Sequence, residues 1–482
     1  MESSFYFYDL ETSGFNPRNN RIMQFAGKRT DLNLQPLNDE INELIQLPKD
    51  VLPDPGAILL TKITPQATLE NGYSEAEFLK LFNEQALKPN TILVGYNNVR
   101  FDDEFIRFLN YRNFYDAYEW QWKDGRSRWD LLDLVRMTRA LRPEGVNWPV
   151  IDGKPNNQLE NLSVANNLQH DSAHDAMSDV VATIAVAKLI KDKQPKLFNF
   201  LLNLRHKKEV KKLVESSSPL VYTSSHFPSE ILHTTVVLTL TNSASDSSLV
   251  YDLRHDPSMY LDMTVEELIE VWRYKKDSDE PRLPVKTIKY NRVPAIAPLS
   301  VINDEATKER LKLNFDEIDK NKSILEAKIK DFAIKMLKVV EQMDKTREEE
   351  RKTKPAKTVD EKLYDGFIDR QDVPLMQRVR NDGSNIETNA FNFKDKRLQE
   401  LLPLYKARNF PKSLTADERS IWEEHIKNKL TGRESSELAG FYEKIKEYRT
   451  TNTSKQDQYI LEELELYAQS IVQDLVSENE DH

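Results

Sequence analysis

What most limits the fold of this chain is the order in which its two hydrophobic periods appear. Over about residues 1 to 190, three strand-like runs come first, at 5–10, 22–30 and 37–47. Helix and strand patterns then alternate. Residues 74–87 open on a capping Ser74 and carry Phe78, Leu79, Phe82 and Leu87 at helical spacing. Residues 91–96 form a short apolar strand. Residues 102–111 and 129–141 read as amphipathic helices, 159–168 as a shorter one, and 174–190 as a long helix with an Ala/Val/Ile/Leu face. That succession predicts an α/β layer fold. From about 195 to 350 the texture changes. Short strand-like runs at 221–223, 235–241, 248–253, 285–290 and 295–299 are split by Ser/Asn/Asp clusters, the spacing of a small barrel or sandwich. One helix, 264–274, interrupts them, and 304–350 reads as solvated helices rich in Lys, Glu and Leu. From about 355 to 475 the pattern is almost wholly helical, clearest at 396–408, 415–430 and 456–476. The tail 477–482 is acidic and is expected to fray.

Length agrees with three parts, since 482 residues exceed one ordinary domain. The expected boundaries are 1–192, 195–350 and 355–475. Lys and Arg number 68 against 79 Asp and Glu, a net charge of −11, which excludes a uniformly basic binder but not a local basic groove. The absence of cysteine removes disulfide frameworks, thiolate zinc sites, iron–sulfur clusters and cysteine nucleophiles. The N-terminus, Met1-Glu2-Ser3-Ser4, has neither a basic n-region nor an apolar h-region. Apolar stretches such as 180–187 fall well short of the roughly 20 residues of a membrane span. A cytoplasmic protein is expected.

Chemistry concentrates in three short stretches. Asp9 and Glu11 lie two apart on the first strand, so both carboxylates share one face of the sheet. Acids forced together repel unless a cation lies between them, and a hard divalent ion serves well. Such triplets are common, and Asp102-Asp103-Glu104 is another, but an apolar aromatic strand rarely buries two acids without cause. Asp102 reads either as a helix N-terminal acid, favourable with the helix dipole, or as a third carboxylate at the same sheet end; Asp103 suits the first role better. His174 and Asp179 sit five apart, with Ser172 as a candidate N-cap placing His174 in the first helical turn. His170 and Asp175 form a rival pair at the same separation. A single histidine is more often a surface or core residue. The whole constellation makes His174 the candidate general base, with an ordinary pKa near about 6.5.

The set Asp9, Glu11, Asp102, His174 and Asp179 resembles the histidine-bearing branch of the DEDD superfamily of 3′→5′ exonucleases. Longer matches narrow the resemblance to the bacterial exonuclease I family. They run through Gly95-Tyr96-Asn97-Asn98-Val99-Arg100-Phe101-Asp102-Asp103-Glu104, Arg112-Asn113-Phe114-Tyr115-Asp116, Ser127-Arg128-Trp129-Asp130-Leu131-Leu132-Asp133, Leu141-Arg142-Pro143-Glu144-Gly145-Val146-Asn147-Trp148-Pro149 and Ala173-His174-Asp175-Ala176-Met177-Ser178-Asp179. They continue at Leu283-Pro284-Val285-Lys286, Leu363-Tyr364-Asp365-Gly366-Phe367 and Tyr405-Lys406-Ala407-Arg408-Asn409-Phe410-Pro411, and so cover nearly the whole chain. The resemblance implies a ribonuclease H-like exonuclease domain, an SH3-like β-barrel domain with flanking helices, and a C-terminal helical domain.

It also implies a magnesium-dependent exodeoxyribonuclease that degrades single-stranded DNA to 5′-mononucleotides, with roles in DNA repair and recombination. Two Mg²⁺ ions are implied, one held by Asp9, Glu11 and Asp179, the other by Asp9 with Asp102 helping through water. His174 would deprotonate the attacking water, and the second ion would stabilise the departing 3′-oxygen. Implied substrate contacts are Glu11, Gln158, Arg107, Tyr118, Trp122 and Arg136, with Lys207 and Lys286 as phosphate-binding cations and Tyr364 and Phe367 as stacking aromatics. A monomer is expected, docking the C-terminal tail of single-stranded DNA-binding protein near Arg142. The chain departs from the family pattern at Gln158, where relatives usually carry an arginine: either a neighbour such as Arg100 or Lys154 replaces the bidentate fork, or affinity for the 3′ end is lower. Leu10 and Ser13 also depart from the usual aromatic-rich first motif, and about 224–260 diverges most. An RNA-directed exonuclease of the same superfamily and a non-catalytic DNA-end binder are the alternatives.

Overall fold

Side-chain alternation along strand β1 (Ser4–Thr12) decides how the first sheet is built. In the computed structural model, Tyr6, Tyr8 and Leu10 enter a core with Phe25, Phe78, Phe82, Leu93 and Phe105, leaving the other parity for Asp9 and Glu11. The structure describes residues 2–168, 175–216, 218–243, 246–273, 281–353, 357–432, 436–452 and 454–477, without the side chains of 351–353 and 474–477. β2 (Ile22–Thr30) runs antiparallel to β1, with Asp9 opposite Ala26 and Glu11 opposite Gln24, and a register shift follows Glu11. β3 (Pro36–Leu44) is antiparallel to β2. β4 (Thr91–Gly95) is parallel to β1, but only Ser4 to Phe7 are paired with it. The strands therefore stand in the order β3-β2-β1-β4, and the acid-bearing half of β1 runs past the end of β4.

The described chain forms two compact units. The first draws on 1–127, 170–181 and 357–482, the second on 128–169 and 182–356. In the first unit, the helix Glu75–Leu81 is opened by a reciprocal Ser74/Glu77 cap and widens into a π-turn at Phe82–Ala86. The third strand ends at Leu44 rather than 47, because Ile45 leaves the ladder to bridge Tyr73. The helices Lys396–Asn409, Ala416–Thr431, Glu437–Thr451 and Lys455–Ser477 complete this unit. Two proline-led turns of helix, Pro55–Thr61 and Pro65–Asn71, were too short to show a hydrophobic period; Asp54 and Thr64 cap them.

In the second unit, residues 129–141 divide. Ser127–Asp130 is a strand, β5, which begins at the unit boundary, and the helix starts only at Leu131. The cause is local: the Asp130 carboxylate accepts from the Leu132 amide at 3.0 Å as an N-cap, while Trp129 packs edge-on against Phe198. A small hairpin joins β6 (Val150–Ile151) to β7 (Lys154–Pro155). β8 (Leu220–Thr223), β9 (Thr234–Ser243), β10 (Ser247–Asp252), β11 (Val285–Lys289) and β12 (Ala295–Pro298) form one antiparallel sheet in the order β11-β10-β9-β8-β12. The helix Phe315–Thr353 packs on it, with Asn321 donating to the Leu253 carbonyl at 2.9 Å. No helix among the described residues is long and apolar enough to cross a membrane.

Buried ions fasten the C-terminal helices of the first unit to its N-terminal part. Arg408 pairs with Asp50 at 2.6 Å and with Asp360 at 2.7 Å; Lys429 also reaches Asp50, and Arg21 reaches Asp360. Burial alone would raise both carboxyls, yet Arg408, aided by Lys429 and Arg21, holds them far below the usual carboxylate range. Arg408→Met should leave Asp50 with Lys429 and Asp360 with Arg21 as their remaining buried cations and cost about 3–5 kcal/mol. Urea unfolding at neutral pH measures the loss, which should shrink as acid protonates Asp50 and Asp360.

Candidate active site

The parity of β1 and the start of one helix bring three carboxylates together. Asp9, Glu11 and Asp179 each offer an oxygen, and these oxygens lie within 4.8 Å of one another. Glu11 is buried and the other two partly so. Asp179 stands in the first turn of the helix Ala176–Lys193. The Asp175 carboxylate accepts from the Ser178 amide at 3.0 Å at that helix start. His174, Ser172 and His170 lie outside the described residues.

Asp102 stands beside the trio rather than within its spacing. Its place is set by the turn after β4. Gly95 permits a close approach there, since a Cβ would meet that of Asn98 at 2.6 Å. The buried Asn98 accepts from the Asp103 amide through its carbonyl and donates its side-chain amide to the Tyr8 hydroxyl at 3.0 Å. The Tyr8 hydroxyl donates to Asp103 at 2.5 Å. Asp103 is thus a structural acceptor. Asp102, one residue earlier on the helix Asp102–Arg112, exerts the strongest charge on Asp9.

The electrostatics are one-sided. Burial raises the Asp9 carboxyl well above its usual range, and Asp102, Asp179, Glu11 and Asp175 raise it further. Burial, then Asp179, Asp102 and Asp175, push Glu11 up to about 8. The charges acting most strongly on both are carboxylates. A buried cluster of like charge made only of oxygen donors fits a hard divalent cation, which would replace the protons.

Sequence reasoning missed Phe15. It is 71% exposed, four residues after Glu11, with its ring centre 6.5 Å from that of Phe101, which precedes Asp102. A closed loop holds it out. Asn20 donates to the Ser13 carbonyl at 3.2 Å and accepts from the Asn16 amide at 3.0 Å. Gly14, at φ +153°, is required because a Cβ would strike Asn20 at 2.6 Å. The signal was present in the sequence as a large aromatic placed in a turn directly after paired acids.

Other expected contacts of the first unit form one network along the helix Asp102–Arg112. Arg107 pairs with Glu104, donates to Gln121 at 3.0 Å and lies 5.8 Å from the Tyr118 ring centre. The Tyr364 hydroxyl also donates to Glu104, and its ring meets Phe108 edge-on at 5.8 Å with the Arg18 guanidinium 6.0 Å away. Trp122 and Phe367 are open, at 59% and 92% exposure. The remaining residues belong to the second unit. Arg136 pairs with Asp133 at 2.8 Å. Gln158 is exposed at the head of the helix Leu159–Ala165 and accepts from Asn156 and Asn161. Lys207 pairs with Asp246. Lys286 lies on β11, where burial, then Arg282, lowers its pKa. Arg142 donates to the Val301 carbonyl at 2.9 Å.

Three family models match in succession: Exonuclease over 6–187, Exonuclease I SH3-like domain over 205–342, and Exonuclease I C-terminal domain over 357–471. Exodeoxyribonuclease I of Haemophilus influenzae is 38% identical over 462 residues, 94% of this chain and 96% of that protein. E. coli Exonuclease I, solved in complex with a dA16 oligonucleotide, superposes with a TM-score of 0.90 at 35% identity, covering 98% of this chain and 100% of that one. The zinc ion bound form of an E. coli ExoI–ssDNA complex gives a TM-score of 0.89 at 34% identity over the same shares. An α/β exonuclease domain, an SH3-like domain and a helical C-terminal domain therefore follow one another as in those proteins, and the chain belongs to the exonuclease I family.

Proposed function

We propose that this protein is a 3′→5′ exodeoxyribonuclease that shortens single-stranded DNA by one 5′-mononucleotide at a time, by divalent-metal-dependent hydrolysis. The observation that carries the reading is the convergence of Asp9, Glu11 and Asp179, with Asp102 beside them, at the overhanging end of β1. The oligonucleotide-bound relatives support single-stranded DNA as the substrate. An RNA substrate is not favoured by the SH3-like and C-terminal domains, which are those of exodeoxyribonucleases.

Asp9, Glu11 and Asp179 would hold the cation, Mg²⁺ by the preference of oxygen-only donors, and Asp102 would add its charge from the neighbouring helix. A divalent cation supplies Lewis acidity toward water and phosphate oxygens. The protein's own groups do the rest. His174 takes the proton of the attacking water. Phe15 and Phe101 offer a ring pair beside the acids for the terminal base, while Trp122, Tyr364 and Phe367 stack bases further along the strand. Glu11, Arg107 and Tyr118 position the terminal nucleotide, and Gln158 is a substrate contact of the second unit. Arg136 and Lys207 meet phosphates by releasing Asp133 and Asp246, and Lys286 meets them from β11. The lack of an arginine at 158 is met by a neighbour such as Arg100 or Lys154, or lowers affinity for the 3′ end. In the cell this is a cytoplasmic monomer of DNA repair and recombination that docks the tail of single-stranded DNA-binding protein near Arg142. The working domains are 1–192, 195–350 and 355–475.

The deciding experiment is digestion of 3′-end-labelled single- and double-stranded DNA, with matched oligoribonucleotides, with and without Mg²⁺. Asp9→Ala and Asp179→Ala should lose at least about a thousandfold in rate with the fold intact, and His174→Ala should lose steeply where His170→Ala does not. Full activity of Asp179→Ala would overturn the reading. Phe15→Ala should raise KM for short strands about tenfold, matching about 1–3 kcal/mol per stacked base, with Phe15→Trp restoring it.

Stability gives an independent check. Glu11, raised to about 8, contributes stability that is full below its unfolded pKa near 4.5 and is lost as pH rises through about 8. The thermal midpoint in EDTA should therefore fall between pH 5 and 8.5. Glu11→Gln should flatten the fall, and Mg²⁺ at pH 8.5 should reverse it.

A further inference from the structure

Among the described residues, the buried ion network of the first unit leaves the Arg112 guanidinium with no carboxylate in pairing distance. Arg112 ends the helix Asp102–Arg112 and is only 2% exposed. Its Nη1 donates to the Pro17 carbonyl at 3.2 Å, and its guanidinium lies 5.9 Å from the centre of the Phe108 ring. Nε and Nη2 have no hydrogen-bond acceptor among the described residues. These two nitrogens form the side-on fork with which arginine grips an anion in two parallel hydrogen bonds.

The charges around Arg112 do not balance. Four cations, Arg21, Arg112, Arg408 and Lys429, face three carboxylates, Glu75, Asp360 and Asp50. Asp360 is taken by Arg21 and Arg408, and Asp50 by Arg408 and Lys429. Glu75 accepts from Asn113 at 2.7 Å and stands 3.7 Å from Arg21. Burial, then Arg21, depresses Arg112 to about 9, so it is still cationic at neutral pH. Water could satisfy the two N–H groups of the fork, but it could not neutralise the surplus charge, and an unpaired buried charge is strongly unfavourable.

We propose that Arg112 binds a small monovalent anion, chloride under ordinary conditions, in its Nε/Nη2 fork, where buried ions join the N-terminal part of the first unit to its C-terminal helices. The anion completes that network and stabilises the unit. The site is independent of the nuclease reading, because no step of hydrolysis uses it.

Crystals of the full chain grown in sodium bromide should show an anomalous peak at the fork. In solution, the urea midpoint of the wild type should climb by a constant step for each tenfold rise in chloride, at ionic strength held constant with sodium gluconate. Arg112→Met should abolish both the peak and the chloride dependence. Arg112→Lys, which keeps the charge but loses the fork, should need about tenfold more chloride. A fork holding only a non-anomalous water, or equal chloride dependence in wild type and Arg112→Met, would overturn the proposal. If Arg112→Met fails to fold, the wild-type bromide map decides alone.

Discussion

Mutual repulsion among carboxylates is the constraint around which the first unit is organised. Asp9, Glu11 and Asp179 bring carboxylate oxygens within 4.8 Å of one another, and Asp102 adds to the field. No packing advantage explains that expense, because each acid takes up space that an apolar side chain would fill at a gain. The surrounding structure is correspondingly stiff. Tyr8, Asn98 and Asp103 lock the turn after β4, and Asn20 closes the loop after β1. A strained constellation persists only where its neighbours over-determine it.

A second set of buried charges shows the opposite logic. At Asp50 and Asp360 the carboxylates are surrounded by cations and stay ionised. One buried acidic cluster is thus poised to take a cation from outside, and the other is satisfied from within. The two are linked by a single helix, which begins at Asp102 and ends at Arg112.

Much of this was legible in the residues. The D-x-E pair was placed on one sheet face by strand parity alone, and the amphipathic helix from residue 102 was visible by its period. Failures came where local chemistry overrides periodicity. Trp129 and Asp130 look helical by spacing, but a capping carboxylate moves the helix start to Leu131. Helices led by Pro55 and Pro65 are too short to show a period. The ion pairs of Arg107 in the first unit and of Arg136 and Lys207 in the second could not be foreseen, because each depends on which acid the fold brings within reach. Phe15 escaped notice because an aromatic in a turn after paired acids is a weak signal until the fold sets Phe101 beside it.

The overhang of β1 beyond β4 has a consequence for how such a chain can vary. Parity is the currency of a strand: losing one residue between Ser4 and Tyr8 would turn both acids toward the core and Tyr8 and Leu10 outward. Losing two would keep the facing but draw the acids back alongside β4. Length change is therefore forbidden over a few residues of one strand and in the closed loop that follows it, while the connection from β2 to β3 remains open to insertion, so natural or engineered diversity should accumulate there.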